Sequence, residues 1–360
     1  MCKRIICFLL TIALLLGLAA CSEGGGAEYT GPTREFTDSA GRTVTVPEQI
    51  DRVAVTGQLA QIMVFSAAPD KLIALASEWS ADAEGYIDGK YYSLPVLGQL
   101  FGGNGELNLE EMLGAAPQVI IDMGERKESI AEDMDDIQNQ TGIPTVHITV
   151  SMDDTAAAYA MLGELLGVQE KTAELAEYCT AAYDRTLEIM EQVGDQKISA
   201  LYCLGDLGCN VICRDSYHST VLDLLTENLA VVDTPSSKGT GNEVDMEQLY
   251  IWDPEVIFFA PNSMYPYAAE DPEWQELSAI RNGSYYEVPY GIYNWMGFPP
   301  SVQRYLGMVW MTKVLYPDHA DYDLYEEVKT FYGLFFHCQI TPEQYETLVA
   351  NSIGVQEAVK

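Results

Sequence analysis

Positive charge is scarce in this sequence: 19 lysines and arginines stand against 54 aspartates and glutamates, a formal net charge of −35 over 360 residues. A surface of that sign repels phosphate backbones and anionic headgroups, so nucleic acid and electrostatic membrane adhesion are excluded as partners. No apolar run after residue 20 is long enough to span a bilayer. Catalytic signatures are missing too: there is no GxSxG, HExxH or P-loop, and Gly239-Thr-Gly241 lacks the third glycine of a dinucleotide loop. No enzyme activity is expected. The four histidines, His147, His218, His319 and His337, are too dispersed to announce a zinc or manganese site.

Cysteine is present but not in a metal-binding arrangement. Cys203, Cys209 and Cys213 match neither the paired CxxC of zinc sites nor iron–sulfur runs, and with Cys179 and Cys338 they make an odd number. Buried thiols or one hairpin disulfide are expected. At the N-terminus, Lys3 and Arg4 precede an apolar run over 5–18 that ends in small residues, the pattern of a secretory signal. Leu18-Ala19-Ala20-Cys21 resembles the lipobox of bacterial lipoproteins, in which the cysteine is acylated and becomes the first mature residue. Cys21 is thus the expected lipidation site, residues 1–20 the leader and 21–33 a flexible tether; an ordinary cleavable signal is the alternative. Acyl chains contribute ~0.8 kcal/mol per buried methylene. Loss of Lys3 and Arg4 takes the charge from −35 to −37, so lipid rather than charge must hold the protein to a membrane.

The remaining 340 or so residues suit two domains. Residues 36–47 alternate about a glycine and predict a β-hairpin. Short β-rich runs at 52–56, 71–76, 118–122 and 145–148 then alternate with helical segments at 108–114 and 129–141, the order of a mostly parallel βα sheet. A helical pattern follows, with apolar positions Ala173, Ala176, Cys179, Tyr183, Leu187 and Met190. Strands resume at 197–204, 209–213, 229–233, 255–260 and 285–288. The expected fold is α/β: an N-terminal lobe (34–167), one long joining helix (168–195) and a C-terminal lobe (196–360), both lobes Rossmann-like, with a cleft between them.

An internal echo supports the two lobes. Glu110-Glu-Met-Leu-Gly-Ala-Ala-Pro117-Gln-Val119-Ile120 and Glu247-Gln-Leu-Tyr-Ile-Trp-Asp-Pro254-Glu-Val256-Ile257 share Glu, Pro, Val and Ile at one spacing, 137 residues apart. Each reads as a short helix that stops at a proline and feeds a buried strand.

The order of these features resembles the class III substrate-binding proteins of ABC importers, which capture ferric siderophores, haem or cobalamin. The resemblance rests on Asp38-Ser-Ala-Gly-Arg-Thr-Val-Thr-Val-Pro47 with Arg52-Val-Ala-Val, on Asn108-Leu-Glu-Glu-Met-Leu with Pro117-Gln-Val-Ile-Ile, and on Tyr305-Leu-Gly-Met-Val-Trp-Met-Thr-Lys-Val-Leu-Tyr-Pro317. It implies a lipid-anchored extracytoplasmic receptor, monomeric, without an intrinsic cofactor. Its bound ligand would be a ferric siderophore, haem or corrinoid, and its partners an ABC permease and its ATPase. The resemblance also assigns permease docking to Glu110 and Glu247. A surface sensor without transport, or a chelate-processing enzyme, are the competing functions.

In such a fold, ligand sits at the carboxyl ends of strands. Loops there carry Trp79, Tyr92 and Arg126 in the first lobe and Tyr265, Tyr293, Asn294, Trp295 and, further on, Arg304 in the second. Flat aromatic faces suit macrocycles or catecholate rings, and arginines suit carboxylates or a negative chelate. Trp79 and Trp295 equally suit the covered edges of their own lobes. As a haem ligand, His218 would need Tyr217 or Tyr293 beside it.

Overall fold

The structure is a computed structural model that describes residues 29–101 and 106–353. Cys21 lies outside the described residues. Among them, no helix is long and apolar enough to cross a membrane.

A hairpin of β1 (Thr33–Thr37) and β2 (Thr43–Pro47) opens the chain. The N-terminal lobe is built on three parallel strands in the order β3 (Val53–Val55), β4 (Val119–Gly124), β5 (Thr145–Thr149). The C-terminal lobe has the order β11 (Tyr285–Glu287), β10 (Val256–Phe259), β6 (Ser199–Leu204), β7 (Asn210–Val211), β9 (Asn242–Glu243). Here β6, β10 and β11 are parallel, whereas β7 is antiparallel to β6 and to β9; β8 (Glu227–Asn228) pairs with the first half of β6. Two expected strands are absent. At 71–76, Pro69 starts a tight turn through Lys71 and only isolated bridges at Leu72 and Leu75 follow. At 229–233 no ladder forms, and Val231 stays 59% exposed.

The helices that matter for the site are α1 (Gln58–Ala67), α2 (Leu109–Ala115), α3 (Ile130–Thr141), α4 (Thr155–Leu166), α5 (Gln169–Val193), α6 (Thr220–Leu225), α7 (Met246–Trp252), α8 (Gln303–Leu315) and α9 (Leu324–Phe336). The long joining helix α5 lies between Gly167 and Gly194, both at positive φ. Its buried stripe is Thr172, Leu175, Cys179, Ala182, Thr186, Ile189, Met190 and Val193: Cys179 and Met190 are buried as expected, and the other expected positions are one residue out of phase. The two threonines can be buried because their hydroxyls donate back to the carbonyls of Val168 and Ala182.

Strand alternation decides where the core sits. Val119, Ile121 and Met123 of β4, Ala200 and Tyr202 of β6, and Val256 and Phe258 of β10 all join one core shared by both lobes and α1, α4, α5, α8 and α9. The intervening Ile120, and Leu201, Cys203, Ile257 and Phe259, face two separate outer cores, one per lobe. The lobes therefore rest on continuous apolar packing. A two-pronged ion pair, Arg185 to Glu327 at 2.7 and 2.8 Å, ties α5 to α9.

The sequence echo has a structural counterpart. Asn108 and Asp245 cap α2 and α7 by accepting from the backbone of Glu111 (3.1 Å) and Gln248 (2.8 Å). Each helix has seven residues and ends in a left-handed residue, Ala116 or Asp253. A proline follows, then a buried strand from Val119 or Val256. Glu110 and Glu247 are exposed in the first turns, where the helix dipole favours a carboxylate.

Candidate functional site

A cavity of about 310 Å³ opens between the lobes. Its N-terminal wall is Leu59 at the start of α1, Glu125 just after β4, and Val150, Ser151, Met152, Asp153 and Thr155 between β5 and α4. Tyr183 enters from α5. The C-terminal wall is Tyr217 and Thr220 near the start of α6, and residues 300–302 with Arg304 and Tyr305 at the start of α8. In the N-terminal lobe these are the carboxyl ends of parallel strands, where an open α/β sheet leaves a crevice.

Arg304 is the cavity's cation and only 8% exposed. Its Nη2 donates to the Tyr217 carbonyl at 2.7 Å and its guanidinium carbon lies 4.7 Å from the centre of the Tyr217 ring. Its buried Nε has no partner. Burial pulls its pKa down, while Tyr217 and Glu125 act in the opposite direction. The seat for this side chain is Gly297, at φ +85°: a Cβ there would fall 2.6 Å from Arg304 Cγ and 2.9 Å from Nε. Any other residue at 297 would push the arginine off its position.

The start of α8 adds partial positive charge on the same wall, and its first turn carries no acid. Across the cavity, the start of α4 is already accompanied by Asp153 and Asp154. Tyr305 donates from its hydroxyl to the Met152 carbonyl at 2.7 Å, closing one end of the cleft. His218 lies behind this wall, stacked on Phe298 with ring centres 4.8 Å apart. Burial, reinforced by Arg304, pushes its pKa down to about 4, and its Nδ1 is unpartnered.

Of the residues read from sequence as ligand contacts, only Arg304 lines this cavity. Trp79, Tyr293, Asn294 and Trp295 do converge on the lobe junction, but inside the core, with 4%, 4%, 4% and 1% exposure. Trp79 Nε1 donates to the Tyr91 carbonyl, and its ring packs against Phe65 and Tyr293. The Tyr293 hydroxyl accepts from buried Gln61 across the lobes at 3.3 Å. Asn294 donates to the Tyr202 hydroxyl at 2.9 Å. The expectation that places these aromatics on the cleft is corrected accordingly: an interlobe core covers them. Tyr92 is half-buried, its hydroxyl 3.4 Å from the Ser80 carbonyl. Tyr265 packs on Phe259 and Tyr285 on the far side of its sheet. Arg126 is exposed beside Glu125. The pairing of His218 with Tyr293 does not arise, since Gln61 holds that hydroxyl in the lobe junction. All five described cysteines are free thiols.

The residues that sequence reasoning passed over are Glu125, Asp153, Tyr183 and Tyr305 as cavity walls. Glu125 sits in a loop read as cleft-facing, so position after a strand was a usable signal. Tyr183 and Tyr305 lie within helices, and nothing local distinguishes them from core tyrosines.

Residues 71–290 match the family model described as periplasmic binding protein. A solved ABC transporter solute-binding protein from Sulfurospirillum deleyianum is 27% identical, with a TM-score of 0.80 over 88% of this chain and 99% of that one. The molybdate-binding protein MolA of Haemophilus influenzae is 23% identical over 338 residues, 86% of this chain and 93% of that protein. A TroA-like periplasmic binding protein, FepB of Veillonella parvula, has a TM-score of 0.69 at 17% identity, covering 86% and 98%. These relatives are solute-binding proteins rather than enzymes, and binding proteins of this type serve a small-molecule ligand and an ABC permease. The chain belongs to the periplasmic binding protein family.

Proposed function

We propose that this protein is a lipid-anchored receptor, held by Cys21 on the outer face of a cytoplasmic membrane, that captures a small anionic metal species and passes it to an ABC permease and its ATPase. The observation that carries the reading is Arg304: a cation more than nine-tenths buried, with an unpartnered Nε, at the start of a 13-residue helix and in an interlobe cavity. About 310 Å³ is near the lower end of ligand-site volumes. Among the ligands that the resemblance offers, a compact ferric chelate suits this small space better than haem or a corrinoid, because Trp79, Tyr293 and Trp295, the aromatics expected to stack on a macrocycle, are in the core. A second reading, a metal oxyanion, is favoured by the arginine-lined cavity together with the molybdate-binding relative. The protein acts as a monomer.

Glu110 and Glu247 are the proposed docking knobs, exposed on matching helices of the two lobes. Complementary charge would fix register and speed encounter. The test is ATPase stimulation of the cognate transporter in nanodiscs. Glu110→Ala with Glu247→Ala should abolish stimulation and remove its salt sensitivity while thermal stability stays unchanged. Full stimulation by the double variant would refute transporter docking through these residues.

A further inference from the structure

The cavity is charged asymmetrically. Its C-terminal wall offers Arg304 and the start of α8, the Ser301 hydroxyl being engaged with Pro299 and Gln303, whereas its N-terminal wall offers the exposed acidic residues Glu125 and Asp153. Glu125 and Arg304 share the space without pairing: Nη2 of the guanidinium goes to the Tyr217 carbonyl, and its Nε is buried against Gly297 without a partner. Glu125 nevertheless acts electrostatically on both Arg304 and Tyr217. A ligand filling this cavity meets donors on one side and acceptors on the other. A carboxylate has no proton to give, so any oxygen pressed against it must bring its own or be repelled.

We propose that Glu125 is a specificity residue that admits anions carrying a hydrogen-bond donor on the side away from Arg304 and rejects bare dianions. Protonated oxyanions qualify, as do chelates with N–H groups or metal-bound water on that side. Fully deprotonated tetrahedral dianions do not. The inference deepens the chelate form of the anion-binding reading of the same cavity and rests on it; it is incompatible with the metal-oxyanion reading, which tight molybdate binding would favour instead. Site selectivity of this kind is a difference in affinity imposed by repulsion as much as by attraction.

The test is calorimetric titration of the isolated protein near neutral pH with two probes of similar shape, inorganic phosphate, which carries protons, and molybdate, which does not. The wild type should bind phosphate at least about tenfold more tightly than molybdate, a difference of ~1.4 kcal/mol. Glu125→Gln should shrink that ratio by about tenfold, chiefly by tightening molybdate. Wild-type binding of molybdate as tight as phosphate, an unchanged ratio in Glu125→Gln, or no measurable binding of either probe to that variant would each overturn the proposal. Arg304→Met separates this inference from the reading beneath it: it should weaken both probes equally. If it leaves them unchanged, the anions bind elsewhere and the cavity reading fails along with the role of Glu125. If it weakens both while the ratio ignores Glu125, only the specificity role fails.

Discussion

Replacing Trp295 by alanine separates a core tryptophan from a ligand-stacking one. The side chain is 1% exposed, belongs to the core shared by the lobes, and is hydrogen-bonded to Tyr332. Its backbone carbonyl lies so close to α8 that a Cβ on Gly307 would fall 2.2 Å from it. A buried aromatic removes about 150–250 Å² from water. At about 25 cal/mol/Å² that is roughly 4–6 kcal/mol, and measured Trp→Ala truncations cost about 3–5 kcal/mol once partial collapse is included. With an unfolding entropy of about 2.1 cal/mol/K per residue, or ~0.7 kcal/mol/K here, Tm should fall by about 4–7 °C. Scanning calorimetry measures that, and titration of the folded variant below its transition should show anion affinity within about twofold of wild type. A Tm within about 1 °C of wild type, together with affinity lowered by tenfold or more, would refute the core assignment and return Trp295 to the ligand cleft.

Two further outcomes follow from the charge and anchor arguments. His218, held at about 4 by burial, stays neutral in the folded protein and takes up a proton on unfolding below its ordinary 6.5. Its contribution is therefore constant above about pH 6.5, declines as pH drops from 6.5 to 4 and is level below that; the difference in urea midpoint between wild type and His218→Phe should shift in favour of the variant across this window, and a pH-independent difference would contradict it. Cys21→Ser should release folded protein from the membrane fraction, because a chain of net charge −37 without its leader has no electrostatic hold on anionic lipid. Retention of that variant through a high-salt wash would contradict the anchor.

Much of the frame was legible because its signals are local. The echo of Glu, Pro, Val and Ile is written in caps, a left-handed stop and a strand entry, all determined within a dozen residues. Glycines bracket the long helix. Helix α1 escaped notice because eight of its ten residues are buried and no amphipathic period remains to read. The stripe of α5 was read out of phase because Thr172 and Thr186 look polar until their hydroxyls are returned to the helix backbone. Trp295 and Tyr293 stand in a segment without period, as a surface loop would; the nearby α8 buries them together with α9, Gln61 and Trp79, which are distant in sequence. The cavity was least legible, since Glu125, Tyr183, Tyr217 and Arg304 come from four separate segments and meet only when both lobes are built.

The central claim is that Arg304 holds a small anionic metal species between the lobes. Elemental analysis and native mass spectrometry of wild-type and Arg304→Met protein, purified side by side from the native host, test it directly. The wild type should carry a metal-bearing, low-mass anion, and the variant should lose it, because removing a buried charge-assisted donor costs about 2–5 kcal/mol, or thirtyfold and more in affinity. Equal metal and ligand content in the two proteins would contradict the claim.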